Sequence, residues 1–217
     1  MKKLALACGI LASVVSVSVS MGAMSYEEWQ RARHNCFENH DKSACEALIN
    51  NGLVSVEWCD KEICAFLGSI YYQAGYFKEA IPYYEKAIAL GDNRGYASLG
   101  TTYHKLQDYY NAKKYYEIAC NKGNGDIFQS EPCLKLGLMY CEGKGVRQDY
   151  AKAAELYKKA CDMKYGFACN ELGVLYNNGQ GVRQNRSTAK QYFGRACDFG
   201  EQTGCDNYRK LNNLGVQ

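Results

Sequence analysis

The sequence predicts an all-α protein, a right-handed α/α solenoid of helical hairpins stapled by disulfides. Three observations carry this. A pattern beginning at Cys133 recurs 36 residues later at Cys169 and opens again at Cys205; a fixed period of that length belongs to stacked hairpins, none of which can bury its apolar face alone. The composition holds 19 tyrosines and only 2 prolines in 217 residues, which suits helices packed through aromatic side chains. And cysteines return at the ends of the repeats, about eight residues apart.

Taken in order, residues 1–23 predict a secretory signal peptide. Lys2 and Lys3 precede an apolar run from Leu4 to Val19, and small residues at Ser20, Gly22 and Ala23 place cleavage after Ala23. Cys8 leaves with this leader. The remaining chain, 24–217, predicts one exported repeat domain, periplasmic or secreted, with no stable membrane insertion because no later run approaches the roughly 20 apolar residues that spanning needs. A formal charge of +3, with lysines scattered among acids, argues against nucleic acid as the partner.

A polar helix is expected over Tyr26 to Phe37 and a second from Ser43 to about Asn51, followed by a stretch from Leu53 to Cys59 without a readable period. From Cys64 the register is clear. Leu67, Gly68, Tyr71, Ala80, Tyr84 and Ala87, then Leu99, Gly100, Tyr103, Ala112, Tyr116 and Ala119, stand at the spacings of a tetratricopeptide repeat. The next two copies carry a Gly-x-Gly-Val insertion, Gly143 to Val146 and Gly179 to Val182. It predicts left-handed turns ahead of Asp149 and Asn185 as helix caps. Repeats are therefore expected at about 64–95, 96–132, 133–168 and 169–204, with a cap at 205–217. Asn121 to Pro132 reads as a polar loop, and Pro82 as a proline near the first turns of a helix, where it costs less than the roughly 3 kcal/mol of a mid-helix proline.

Cysteine spacing pairs Cys120 with Cys133, Cys161 with Cys169 and Cys197 with Cys205, since Ile88 and Tyr96 replace both members together at the remaining junction. Cys36 with Cys45 and Cys59 with Cys64 follow by proximity, a set that spacing alone does not fix. Cys141 is left as a free thiol. No pair has Cys-x-x-Cys spacing, and His34, His40 and His104 share no ligand spacing, so neither a metal nor a cofactor is expected.

The loop Tyr140-Cys-Glu-Gly-Lys-Gly-Val146 resembles the Sel1-like repeat. Together with the cysteines about eight residues apart and the leader, it makes residues 25 to 210 similar to the Helicobacter cysteine-rich protein family. The resemblance implies an exported protein that binds penicillin-like or peptidoglycan-like ligands, some members being classed as weak β-lactamases. It maps groove-facing positions onto Tyr72, Gln73, His104, Lys105, Cys141, Glu142, Asn170, Asn177 and Asn178, whose amides, imidazole and ammonium suit a peptide backbone, a carboxylate or a sugar amide. Ser187-Thr-Ala-Lys190 matches the Ser-x-x-Lys nucleophile motif, but no Lys-Thr-Gly accompanies it and no acid pair for glycoside hydrolysis is recognisable. The reading is a concave-face binder of a peptide, protein or cell-wall fragment; a penicillin-binding protein or β-lactamase is the second reading, with its catalytic residues unknown.

Overall fold

The computed structural model describes residues 26–39, 41–50, 59–122 and 127–217; the expected leader, His40 and most of the stretch from Leu53 lie outside them. The described residues form eleven α-helices and no strand. The chain divides between Trp58 and Cys59 into two compact units.

The first unit contains α1 (Tyr26–Phe37) and α2 (Lys42–Asn50). The Asp41 carboxylate caps α2 by accepting the backbone N–H groups of Ser43 and Ala44 at 2.9 and 3.3 Å. A disulfide from Cys36 to Cys45 closes the turn, and both cysteines are buried beside Leu48.

The second unit is an array of hairpins: α3 (Lys61–Gln73) with α4 (Phe77–Ala89), α5 (Arg94–Lys105) with α6 (Tyr109–Asn121), α7 (Ile127–Glu142) with α8 (Tyr150–Asp162), and α9 (Gly166–Asn178) with α10 (Arg186–Asp198). A last helix, α11 (Gln202–Asn213), lies on α10 and α9. One device is written four times. An aromatic ring of the second helix packs against a glycine of the first: Tyr84 on Gly68, Tyr116 on Gly100, Tyr157 on Gly137 and Phe193 on Gly173. A Cβ at any of these glycines would come within 2.5 to 2.7 Å of a ring carbon, so only glycine admits this approach. Leu67, Leu99, Leu136 and Leu172 fill the layer below, and Ala80, Ala112, Ala153 and Ala189 are wholly buried where the helices touch. Each leucine contributes roughly 1.5 to 3 kcal/mol of burial.

The inserted loops turn as their glycines predict. Gly143, Gly145, Gly179 and Gly181 have φ between 67° and 70°. Asp149 then accepts the Lys152 N–H at 2.9 Å, and Asn185 that of Thr188 at 3.0 Å, starting α8 and α10. Gly145 rests on Tyr109 and Gly181 on the backbone of Tyr150, so each loop is seated on the second helix of the repeat before it.

One sequence expectation changes, and two placements become definite. Residues 127–132 belong to α7 and not to a loop; Pro132 is its sixth residue, and a proline there frees only the carbonyl four residues back. Pro82 is likewise the sixth residue of α4, in the second turn, on an exposed face where water can take the freed Lys78 carbonyl. And the cysteines 64, 133, 169 and 205 lie inside their helices, which begin three to six residues earlier.

The staples therefore run from the last turn of a second helix to an early turn of the next first helix: Cys120–Cys133, Cys161–Cys169 and Cys197–Cys205, with Cys59–Cys64 ahead of them on α3. In the chain-entropy account each contributes about 2 to 3 kcal/mol. At the α4–α5 junction, Ile88 packs on Gly95 instead, and buried Asp92 accepts a fork from the Arg94 guanidinium, Nε and Nη2 each at 2.9 Å.

Candidate binding surface

Alternate helices touch along the array, α3 with α5, α5 with α7 and α9 with α11, and all of these are first helices. They form the inner layer, as the second helices do not approach one another in this way. Counting four residues on from the seam glycines gives one position per repeat: Tyr72, His104, Cys141 and Asn177. The next residue along gives Gln73, Lys105, Glu142 and Asn178, all exposed. The two rows lie at the C-terminal ends of the first helices, held in register by the ring-on-glycine seams beneath.

Each member of the first row is engaged differently. Tyr72 meets Phe77 edge-on with ring centres 5.2 Å apart. His104 meets Tyr109 the same way at 5.3 Å. Burial, and then the ammonium groups of Lys144, Lys135 and Lys105, hold its imidazole below the usual range against the opposing pull of Glu142. It is neutral at pH 7, with one nitrogen to donate and one to accept. Cys141 is half-buried and its sulfur accepts the Tyr157 hydroxyl at 3.4 Å; burial pushes the thiol up, the Tyr157 bond opposing. The Asn177 amide donates to Asn178 Oδ1 at 3.0 Å, and Asn178 donates on to Gln180 at 3.2 Å.

Asn170 is placed otherwise. It is 4% exposed, donates to Glu171 and accepts the Asn207 amide at 2.9 Å, tying α9 to α11 from below the surface. Glu171 beside it is raised by burial, with Asn170 lowering it and Glu201 raising it further. Ser187 is exposed on the first turn of α10, while the Lys190 ammonium donates to the Val216 carbonyl and lies over the Tyr208 ring, directed away from the serine's role in a Ser-x-x-Lys pair. Among the described residues no cluster of His, Cys, Asp and Glu could hold a metal ion, and no helix is long and apolar enough to cross a membrane.

Sequence reasoning missed two features. Gln148 and Gln184 reach back to close the first helices, donating to the carbonyls of Cys141 at 2.6 Å and Asn177 at 2.8 Å; their signal was the repeated Val-Arg-Gln after each loop. Phe167, 41% exposed on the first turn of α9, stands at the register of Val174 and Asn178.

The Sel1 repeat pattern matches residues 133–165 and 166–199, and the tetratricopeptide repeat pattern matches 61–94 and 94–121. HcpC of Helicobacter pylori, which carries the provisional name of a β-lactamase, is 43% identical over 65 residues; these are 30% of this chain and 21% of HcpC, so the chain spans about a fifth of that relative's length. The Helicobacter pylori cysteine-rich protein B, HcpB, is 32% identical over 60% of this chain and 92% of its own, with a TM-score of 0.48. The chain is a Sel1 and tetratricopeptide repeat protein. A Sel1 repeat protein from Oxalobacter formigenes is similar in fold, at a TM-score of 0.64 and 21% identity over 86% of this chain and 76% of that one. In this cysteine-rich repeat protein the Sel1 matches fall on the hairpins with inserted loops, and the tetratricopeptide matches on those without.

Proposed function

We propose that the protein is exported and binds an extended peptide segment of a protein partner along the inner face formed by its first helices. The observation that carries this is the contrast between rows within one chain. Seam positions repeat almost unchanged, as Leu, Gly and Tyr or Phe, whereas the surface rows change at every repeat: Tyr72, His104, Cys141, Asn177 beside Gln73, Lys105, Glu142, Asn178. A scaffold that holds its packing constant while varying one exposed column is how a solenoid reads successive side chains of an extended ligand. The neutral His104 imidazole, the Lys105 ammonium and the asparagine amides supply donors and acceptors for a peptide backbone. Five disulfides, four of them flanking the array's first helices, support an oxidising compartment.

The test is an array of random 12-residue peptides probed with the oxidised protein and with a Tyr72→Ala, His104→Ala, Asn177→Ala triple variant. Selective peptides that the triple variant loses support the reading. An unchanged pattern rejects it, as does pelleting with purified peptidoglycan sacculi in place of any peptide selectivity. Turnover of nitrocefin by the oxidised protein, abolished in Ser187→Ala, replaces binding with β-lactam hydrolysis.

A further inference from the structure

Beside the inner rows, where the loops between first and second helices gather, a cleft of about 700 Å³ opens between three consecutive repeats. Lys113 of α6 forms one wall, Tyr140, Arg147, Gln148 and Tyr150 of the third repeat form the floor and sides, and Gly181 of the following loop closes the far wall. That volume lies within the range of small-molecule sites. The walls are fixed by backbone packing: a Cβ at Gly181 would lie 2.2 Å from the Tyr150 carbonyl carbon, and one at Gly145 would lie 2.2 Å from Tyr109 Cβ. Gln148 donates to the Cys141 carbonyl at 2.6 Å and to the Tyr150 hydroxyl at 2.9 Å, which locks that ring in place.

The charges in the cleft are committed, with one exception. Asp149 Oδ1 is taken by the α8 N-terminus through the Lys152 N–H, and Lys113 pairs with Glu117 at 3.2 Å. Arg147 is exposed and, among the described residues, makes no ion pair. A guanidinium offers a planar fork that matches a carboxylate, and the flanking tyrosine rings offer faces to an apolar body. The equivalent arginine of the next repeat, Arg183, keeps Tyr176 and Gln184 beside it but lacks the other side chains: Ala154 stands at the position of Lys113 and Arg186 at that of Tyr150.

We infer that this cleft binds a small ligand carrying a carboxylate on a flat apolar body, with Arg147 holding the carboxylate and Tyr140 and Tyr150 contacting the body. The site is separate from the inner-face reading and stands or falls without it. Hippurate, an aromatic amide with a free carboxylate, and hippuramide, its uncharged counterpart, are the probes, titrated into the oxidised protein and followed by ligand-observed NMR. Hippurate should saturate with a Kd of about 1 mM, the scale expected for a ligand of that size. Hippuramide, and hippurate with Arg147→Gln, should each bind roughly tenfold more weakly or worse, since a charge-assisted pair is lost. Arg183→Gln should bind as the native protein does. Equal binding of the two probes, an unaffected Arg147→Gln, or no saturation by hippurate at about ten times that concentration overturns the assignment.

Discussion

The α4–α5 junction is the place in the array where a staple is missing, and installing one tests the account of how the repeats are joined. Ile88 and Tyr96 are eight residues apart, the separation of Cys161–Cys169 and Cys197–Cys205, whose Cα atoms stand 4.7 and 4.5 Å apart. Closing a loop of that length contributes about 2.6 kcal/mol in the chain-entropy account. Against this, Ile88→Cys removes about two methylenes from a half-buried contact with Gly95, roughly 1 kcal/mol. Tyr96→Cys removes an exposed cation–π contact and hydrogen bond to Lys122, about 0.5 kcal/mol. The Ile88→Cys/Tyr96→Cys protein should therefore gain about 1 kcal/mol over the native protein, and about 2.6 kcal/mol over an Ile88→Ser/Tyr96→Ser control that suffers the same losses without the link. Non-reducing peptide mapping reports closure, and urea unfolding of both variants reports the gain. A pair that stays reduced in air, or a closed pair no more stable than the serine control, refutes the common register of the junctions.

Gly181→Ala and Gly75→Ala both place a side chain at positive φ, 67° and 86°, but nothing lies within 4 Å of the second site, whereas the first strikes the Tyr150 backbone. Gly75→Ala should cost about 1 to 2 kcal/mol of backbone strain and Gly181→Ala at least about 3 kcal/mol, measured by urea midpoints; equal costs contradict the seating of the loop. Alkylation without reductant should mark Cys141 alone, and slowly at pH 7, because burial keeps the thiol protonated. Mass spectrometry showing label at Cys161 or Cys169 instead removes the basis of the pairing. Burial pushes Asp92 upward, but the Arg94 fork outweighs it and holds the carboxyl below the usual range. A depressed native pKa means stability that is present above the unfolded value of about 3.9 and lost as pH falls through the native one. Asp92→Asn should cost about 1 kcal/mol at pH 7, a modest figure because Arg94 is largely exposed, and the gap to the native protein should close as pH falls below the unfolded value and through the lowered native one. A gap independent of pH rejects the ion pair as its source.

What the sequence disclosed follows from what packing constrains. Leu67, Gly68, Tyr84 and Ala87 stand out because each touches another helix, and a repeat copies what touches. The four-residue insertion is visible even in the seams: ring and glycine are 16 residues apart in Tyr84–Gly68 and Tyr116–Gly100 but 20 apart in Tyr157–Gly137 and Phe193–Gly173. Where polarity stood in for structure, the reading failed. Residues 127–132 looked like part of a loop, yet helix geometry asks only for backbone partners, and a proline removes one bond without stopping the turn before it. Asn170 has the composition of a surface residue and is buried, since its amide finds both partners in Glu171 and Asn207. Ser187 and Lys190 match a motif by spacing, but the direction of a lysine side chain is set by what lies nearby, here Val216 and Tyr208. The surface rows were reached through the resemblance to known repeats, while their occupant could not be named, because exposed side chains answer to a ligand and not to the fold.

The placement of the staples also bears on how the chain acquires its cross-links. No paired cysteine is more than 13 residues from its partner, and no pair encloses another cysteine. A chain emerging from its N-terminus thus presents each correct partner before any wrong one that follows. Loop closure over so few residues also outruns capture by a distant thiol. Cys141, the one thiol standing between pairs, appears only after Cys133 and is drawn against Tyr157 as its own hairpin closes. Oxidation in this order needs little reshuffling by an isomerase, and the repeat architecture itself acts as the proofreading of its disulfides.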